Sequence, residues 1–361
     1  MAIKSIRFRG KITSNGIVNF DGEKAKWHLI KDSRYSFDPK FKNYKIAKHS
    51  ITQSGVSEKG RPIFHAVLKI SKNCIRQAIF KDDQPFHNPH IYHAENILIK
   101  LLSSAAGLLR GYLFADLGIK KKSPIFISDA VQISNNVSTI DVGTTNGPKD
   151  KKADTDDDGG LSLYYKESIG GEVIYEFQGA LDLDELQFIS LSQIYDRLAV
   201  NPNYLGPYMK NLETTLGSKP GNKAFFIKKT AVNGLPEEGI LLNSDQVKVL
   251  IKEFFQRFLN MEIYRGASGH AWLSELEIMP KSNGLNNTNW IPVKTSEDVL
   301  NPIDSVHCFY DEYDQEEAVN LYKYIDIEKQ KQNDQKKAKK AKSKEEKEST
   351  NQKKESTNQE K

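Results

Sequence analysis

Three equally spaced histidines, His87, His90 and His93, followed by Glu95 in the stretch PFHNPHIYHAENILIK, are the residues of this chain best suited to chemistry. Imidazole and carboxylate groups bind zinc and, with a bound water, hydrolyse phosphodiesters. The local pattern argues against that use. Pro89 disfavours helix at Asn88, so the run straddles a loop and a helix start, and no cysteine or HExxH partner accompanies it. The other uses open to these rings are packing around Phe86 and Tyr92, or stacking and hydrogen bonding to single-stranded nucleic acid.

A second candidate is DTDDDGG. Asp154, Asp156, Asp158 and Gly159 match positions one, three, five and six of a calcium loop, but Tyr165 stands where the loop needs a bidentate Glu, and Glu167 comes two residues late. It reads as a solvated acidic loop. There is no GxSxG, no Walker glycine loop and no Cys with a plausible His partner; Cys74 falls inside a predicted helix and reads as a small core residue. The expectation is therefore a protein without catalytic residues, cofactor or metal. A metal-dependent ribonuclease using His87, His90, His93 and Glu95, or Asp154 to Asp158, is the alternative.

The elements that would position any site begin with IKSIRFRGKI, where period-two alternation sends Ile6, Phe8 and Ile12 to one face and Arg7, Arg9 and Lys11 to the other. This predicts a half-buried strand with a cationic outer face. RPIFHAVLKI repeats the pattern, and SKNCIRQAIF then starts a helix with Ser71 as N-cap and Ile75, Ala78 and Ile79 inward. Ser71, Lys72, Asn73 and Arg76 there combine helix N-terminal N–H groups with positive charge, a combination that binds phosphate. Outward Lys and Arg on strands, and Ser at an N-cap, also occur for solubility and capping alone. Only their coincidence in one β-α unit favours nucleic acid.

A single long helix is expected in HAENILIKLLSSAAGLLRGYLFADLG, ended by Gly118, with Ala105, Ala106 and Gly107 allowing another element close. Strands are expected in SPIFISDAVQI, EVIYEFQGAL, LQFISLS, KAFFIKKTAV and HAWLSELEIM, and an amphipathic helix capped by Ser244 in SDQVKVLIKEFFQRFLNMEIYR. The class is α+β, with helices packed on an antiparallel sheet in a ferredoxin-like or RRM-like (RNA-recognition) core carrying large insertions.

The net charge of +5 is unevenly placed: Lys329 to Lys361 hold twelve Lys against one Asp and five Glu, a surplus of six, leaving about −1 for residues 1–328. Any polyanion site must be a local patch. The last segment repeats KESTNQ and lacks apolar anchors, so the organisation expected is one domain over residues 1–328 and a disordered Lys-rich tail over 329–361. The opening MAIKSIRFRGK alternates charge with bulk and does not read as a leader, no window suits a membrane span, and two cysteines, Cys74 and Cys308, are too few for a disulfide framework. A cytoplasmic setting is expected.

On the basic strand IKSIRFRGKI, the unit PIFHAVLKISKNCIRQAIF, the insertion-rich middle and the late YRGASGHAWLSELEI, the chain resembles the backbone subunits of CRISPR Cascade complexes, RAMP-type proteins that polymerise along a guide RNA. Its length and LLRGYLFADLGIKKKSPIFISDAVQ look most similar to the minimal type I-F variant systems. The resemblance implies a right-hand shape: an RRM-like palm, helical fingers, and a thumb hairpin within NPNYLGPYMKNLETTLGSKPGNKAFFIKK, with Lys210, Lys219 and Lys223 facing nucleic acid or a neighbour. It implies crRNA, the target DNA strand, copies of the chain itself and other Cascade subunits (capping and crRNA-processing proteins) as partners. The residues carried over are Arg7, Arg9, Lys11 and Ser71 to Arg76, then Arg110, His87 and His90. The glycine-rich loop of RAMP proteins is reduced to Gly266 and Gly269, which speaks against a processing-nuclease role.

Overall fold

The alternation at the N-terminus folds as expected. Ala2–Gly16 is one strand, β1, with Ile6, Phe8 and Ile12 buried and Arg7 and Arg9 exposed. The structure is a computed structural model. It describes residues 2–20, 27–30, 34–37, 44–56, 60, 62–81, 95–145, 162–192, 197–217, 225–230, 236–282, 289–303, 305–306, 319–320, 326–327 and 329–339.

β1 is central to a large antiparallel sheet. The other strands are β2 (His49–Val56), β3 (Pro62–Ile70), β4 (Ile125–Ile127), β5 (Ala130–Gln132), β6 (Glu172–Asp182), β7 (Glu262–Tyr264) and β8 (Gly269–Ser282). Their order is β7-β8-β1-β6-β5-β3-β2. β4 pairs with the C-terminal half of β6, and Ile291–Pro292 and Ser305–Val306 add short strands beside β8 and β1. β4 and β5 continue one another along β6: between them the Ser128 N–H donates to the Gln178 carbonyl at 2.9 Å and the Ser128 Oγ accepts the Gln178 N–H at 3.1 Å.

Helices cover one face. In α1 (Lys72–Ile79) Cys74, Ile75, Ala78 and Ile79 are buried. α6 (Ser244–Leu259) buries Val247, Leu250, Ile251, Phe254, Phe255 and Phe258, a helical i, i+3, i+4, i+7 stripe. Phe8 reaches from β1 into that stripe, with ring centres 5.5–6.1 Å from Phe254, Phe255 and Phe258. Each such pair adds roughly 0.5–1.5 kcal/mol to the area it buries. Room for the ring comes from Gly179 on β6, where a Cβ would overlap Phe8; Gly10 on β1 does the same for Phe177.

Several expectations need correction. The long helix is broken into α2 (Glu95–Leu102) and α3 (Ala105–Arg110), because Ser103 Oγ donates to the Ile99 carbonyl at 2.8 Å and Ser104 Oγ accepts the Gly107 N–H at 3.0 Å, ending one helix and capping the next. Gly107 permits a close approach as expected, but of the α2 end, where a Cβ would overlap the Leu101 carbonyl. Tyr112–Phe114 is a strand, and Gly118, at φ 61°, closes a 3-10 turn over Ala115–Leu117. The cap of α6 is Asn243, one residue before Ser244, in a reciprocal box with Gln246.

The segment expected to hold a thumb hairpin contains α5 (Leu205–Leu216), which follows α4 (Leu183–Gln187) in the chain and buries Tyr208, Met209 and Leu212. The next strand, Phe225–Thr230, pairs with Pro236–Leu241 and Val319–Asn320 in a separate four-stranded sheet. Lys210 is exposed; Lys219 and Lys223 lie outside the described residues. A second insertion, the hairpin Ser138–Thr145 and Ser162–Ile169, is tied to the main sheet by the buried Glu167, which accepts from Ala47 N–H (2.9 Å), His49 (2.9 Å) and Ser138 (2.5 Å). Residues 329–339, where the sequence suggests disorder, are helical and exposed at every position, a run of the strong helix formers Lys, Gln and Ala with no packed face. Residues 340–361 lie outside the described part. Among the described residues no helix is long and apolar enough to cross a membrane.

Candidate nucleic-acid interface

The sheet face opposite α6 is open, and its side chains fall into cross-strand rows. Arg7 stands beside Ala180 and Phe126; Arg9 beside Gln178 and Ser128; Lys11 beside Glu176, then Val131 and Lys69. Arg9 donates to Glu277 at 2.7 Å and Lys11 to Glu275 at 2.7 Å. The bond to Glu275 and its charge raise the Lys11 pKa. Among the described residues Arg7 has no ion-pair or hydrogen-bond partner. The three basic side chains thus share the face foreseen from the alternation, two of them carrying carboxylate partners that only the β8 register reveals.

Aromatic rings lie among these charges. Ile291 pairs with Ile278, which sets Trp290 beside β8, and the Arg9 guanidinium lies 4.4 Å from its ring centre. Phe126 is 49% exposed, with Lys122 Nζ 5.7 Å from its ring centre. Arg7, Phe126, Ser128, Gln178, Ala180 and Trp290 line an open cleft of about 340 Å³. Farther along the same face Tyr264, His270 and Trp272 form a ladder, with ring centres 6.2 and 5.4 Å apart and Tyr264 74% exposed.

The start of α1 is more internally committed than its sequence suggests. Ser71 Oγ accepts the Cys74 N–H at 3.4 Å, as expected of the cap, and also a bond from Asn19 Nδ2 at 3.0 Å. The Lys72 N–H is taken by Asp129 at 2.8 Å, and Asp129 also pairs with Lys69 at 3.1 Å. Burial alone would raise the Asp129 pKa, but the Lys72 N–H and Lys69 hold it below the ordinary carboxylate value. Two first-turn N–H groups therefore have side-chain acceptors already, while the Lys72 and Asn73 side chains are exposed. Arg76 is half-buried and donates to the Arg110 carbonyl at 2.8 Å, joining α1 to the end of α3. Burial, then the charge of Arg110, lowers its pKa. Gly266 and Gly269 flank a turn against the end of β1: Ile17 N–H donates to Ser268 at 3.0 Å, and a Cβ on Gly269 would sit 2.8 Å from the Ile17 carbonyl.

His87, His90, His93 and Asp154 to Asp158 lie outside the described residues, as does the Glu95 side chain. Among the described residues no three His, Cys, Asp or Glu side chains are grouped to hold a metal. Sequence reading missed Phe126, Gln178, Tyr264, His270, Trp272 and Trp290. For most of them a signal existed: in IFI the polarity of alternation points Phe126 away from Ile125 and Ile127, and in GHAWL it sets His270 and Trp272 opposite Ala271. Trp290 had none, since its place depends on a distant pairing.

The model of the Cas7fv-like family, described as type I-Fv CRISPR-associated protein Cas7fv-like, matches residues 2–287. The chain belongs to this family. No curated protein matches it. Among solved structures, this Cas7fv-like chain is similar to one described as "CRISPR RNA-guided surveillance complex, pre-nicking", at 9% identity and TM-score 0.35 over 79% of this chain and 82% of that one. A second, "CRISPR RNA-guided surveillance complex", gives 11% identity and TM-score 0.26 over 65% and 66%. A third, "Cryo-EM structure of the Type III-B Cmr-beta bound to cognate target RNA", gives 15% and 0.25 over 56% and 53%. The family match spans the basic strand, the start of α1 and all but the last residues of the open face, and stops short of Trp290.

Proposed function

We propose that this chain is a non-catalytic crRNA-binding backbone subunit, which oligomerises along the guide spacer of a type I CRISPR interference complex and supports target DNA recognition. The family match over residues 2–287 carries the reading. The strand order supports an RRM-like palm: β8, β1, β6 and β4 with its continuation β5 follow the 4-1-3-2 order of that core, with α6 between the third and fourth strands. The face left uncovered by helices bears the cations and rings that a coat protein needs to grip RNA without choosing its sequence. Helical fingers, a thumb hairpin within the segment 201–229, and contacts by Arg7, Arg9, Lys11, Ser71, Lys72, Asn73, Arg76, Arg110, His87 and His90 belong to the proposal. So do a cytoplasmic location and the capping and crRNA-processing subunits as partners.

Guide pairing, not the protein, would then select the target. The experiment is expression with and without a repeat-spacer RNA, followed by the 260/280 nm ratio and mass distribution of the purified material. RNA-bound particles whose mass grows in steps with spacer length are expected. An RNA-free monomer under both conditions would overturn the reading.

A further inference from the structure

We infer that the cleft between Phe126 and Trp290 is a nucleobase site, in which one unpaired base of the bound RNA stacks on aromatic surface while Arg7 takes an adjacent phosphate. The inference rests on the RNA-binding reading and adds to it a defined position where a base, and not only the backbone, is held.

Four observations converge on this cleft. Its volume of about 340 Å³ falls at the small end of ligand sites, suited to one planar group and too small for a folded segment. Its two rings each carry a cation, Arg9 over Trp290 and Lys122 over Phe126. Such contacts at an exposed site are weak and exchangeable, so a base can take the ring while the displaced cation turns to a phosphate. Arg7 stands exposed between them, with no partner among the described residues to displace. The Gln178 side chain is likewise exposed on the cleft wall and has no partner among the described residues; its amide offers both a donor and an acceptor to a base edge.

The surrounding chemistry opposes other occupants. Glu277 lies beside Arg9, Glu185 is 3.5 Å from Lys122, and among the described residues no carboxylate lines the cleft, so an anionic group is drawn to the cations and a cationic peptide finds no counter-charge there. A purely apolar side chain from a partner would leave Arg7 and Gln178 unused.

The test uses the full chain freed of nucleic acid, titrated with an unstructured oligoribonucleotide containing 2-aminopurine, with affinity read by anisotropy of a terminal dye. Wild-type protein should quench the 2-aminopurine. Phe126→Leu and Trp290→Leu should each relieve much of the quenching and weaken binding roughly ten-fold, and Arg7→Gln should lower the slope of log affinity against log salt by about one. Circular dichroism checks that the variants fold. RNA bound as tightly and quenched as strongly by both ring variants would overturn the cleft and leave RNA binding standing. Failure of the wild type to bind RNA at all would instead overturn the reading beneath it.

Discussion

Arg9 lies over Trp290 at 4.4 Å while its Nε donates to Glu277 at 2.7 Å, so one guanidinium is shared between a ring and a carboxylate from the neighbouring strand. Both side chains of the ion pair are more than a third exposed, a setting in which such a pair adds at most about 1 kcal/mol. A phosphate can therefore displace Glu277. Glu277→Gln should strengthen RNA binding about two- to five-fold, measured by anisotropy at fixed salt, with little change in thermal midpoint. Weaker binding would mean that Glu277 orients Arg9 for RNA and does not compete for it.

The fit of Phe8 against Gly179 gives a stability prediction. Phe8→Ala empties a space bounded by Phe254, Phe255 and Phe258 and should cost about 3–5 kcal/mol. Gly179→Ala overpacks the same space and should cost about 1–3 kcal/mol. Phe8→Ala relieves the overlap of the added methyl with the ring, though not its close approach to the Phe126 carbonyl, so the double variant should lose less than the sum of the two, as read from denaturant unfolding.

Lys121 is buried, its Nζ donating to the Glu185 carbonyl at 3.3 Å, and burial lowers its pKa from 10.5 to about 8 against the opposing charge of Glu185. The folded chain thus holds this proton less firmly than the unfolded chain. Between about pH 8 and 10.5 the unfolded chain binds more protons, so this group adds stability as pH rises through that window and loses it as pH falls. Lys121→Met should be the more stable protein at pH 7, and its advantage should shrink by about 3 kcal/mol on approaching pH 10.5. A constant difference across the range would contradict the assignment.

Glu167 joins the insertion hairpin to the main sheet by accepting from the Ala47 N–H and from His49, with Ser138 of its own hairpin as a third donor. Glu167→Ala removes the acceptor shared by the Ala47 N–H, His49 and Ser138, a loss of about 3–5 kcal/mol for a buried network of this kind. Hydrogen exchange should show the hairpin and Ala47 deprotected while β1 keeps its protection. Uniform loss across both would mean that the insertion and the sheet unfold as one unit.

What the sequence disclosed follows from the range of the forces involved. The two faces of β1, the Ser71 cap and the α6 stripe depend on residues within a turn or two, and each was legible. The helix break at Ser103 and Ser104 depends on side-chain bonds to the backbone that compete with a strong apolar pattern, so the longer helix looked continuous. The partners of Arg9 and Lys11 come from residues more than 260 positions away and depend on strand register, which no local pattern encodes. The same holds for Asp129, whose bond to the Lys72 N–H turns half of an expected phosphate site inward.

Charge reversal on the open face is the decisive measurement. Arg7→Glu with Arg9→Glu changes two exposed side chains whose neighbours Phe8 and Ile6 remain buried, so the fold should persist by circular dichroism. Titration of the RNA-free variant with single-stranded RNA of several sequences should show affinity lost by at least about 100-fold, equally for all sequences, with a shallower salt dependence. Wild-type affinity and salt slope in the folded variant would show that RNA is held elsewhere and that the open sheet face is not its binding surface.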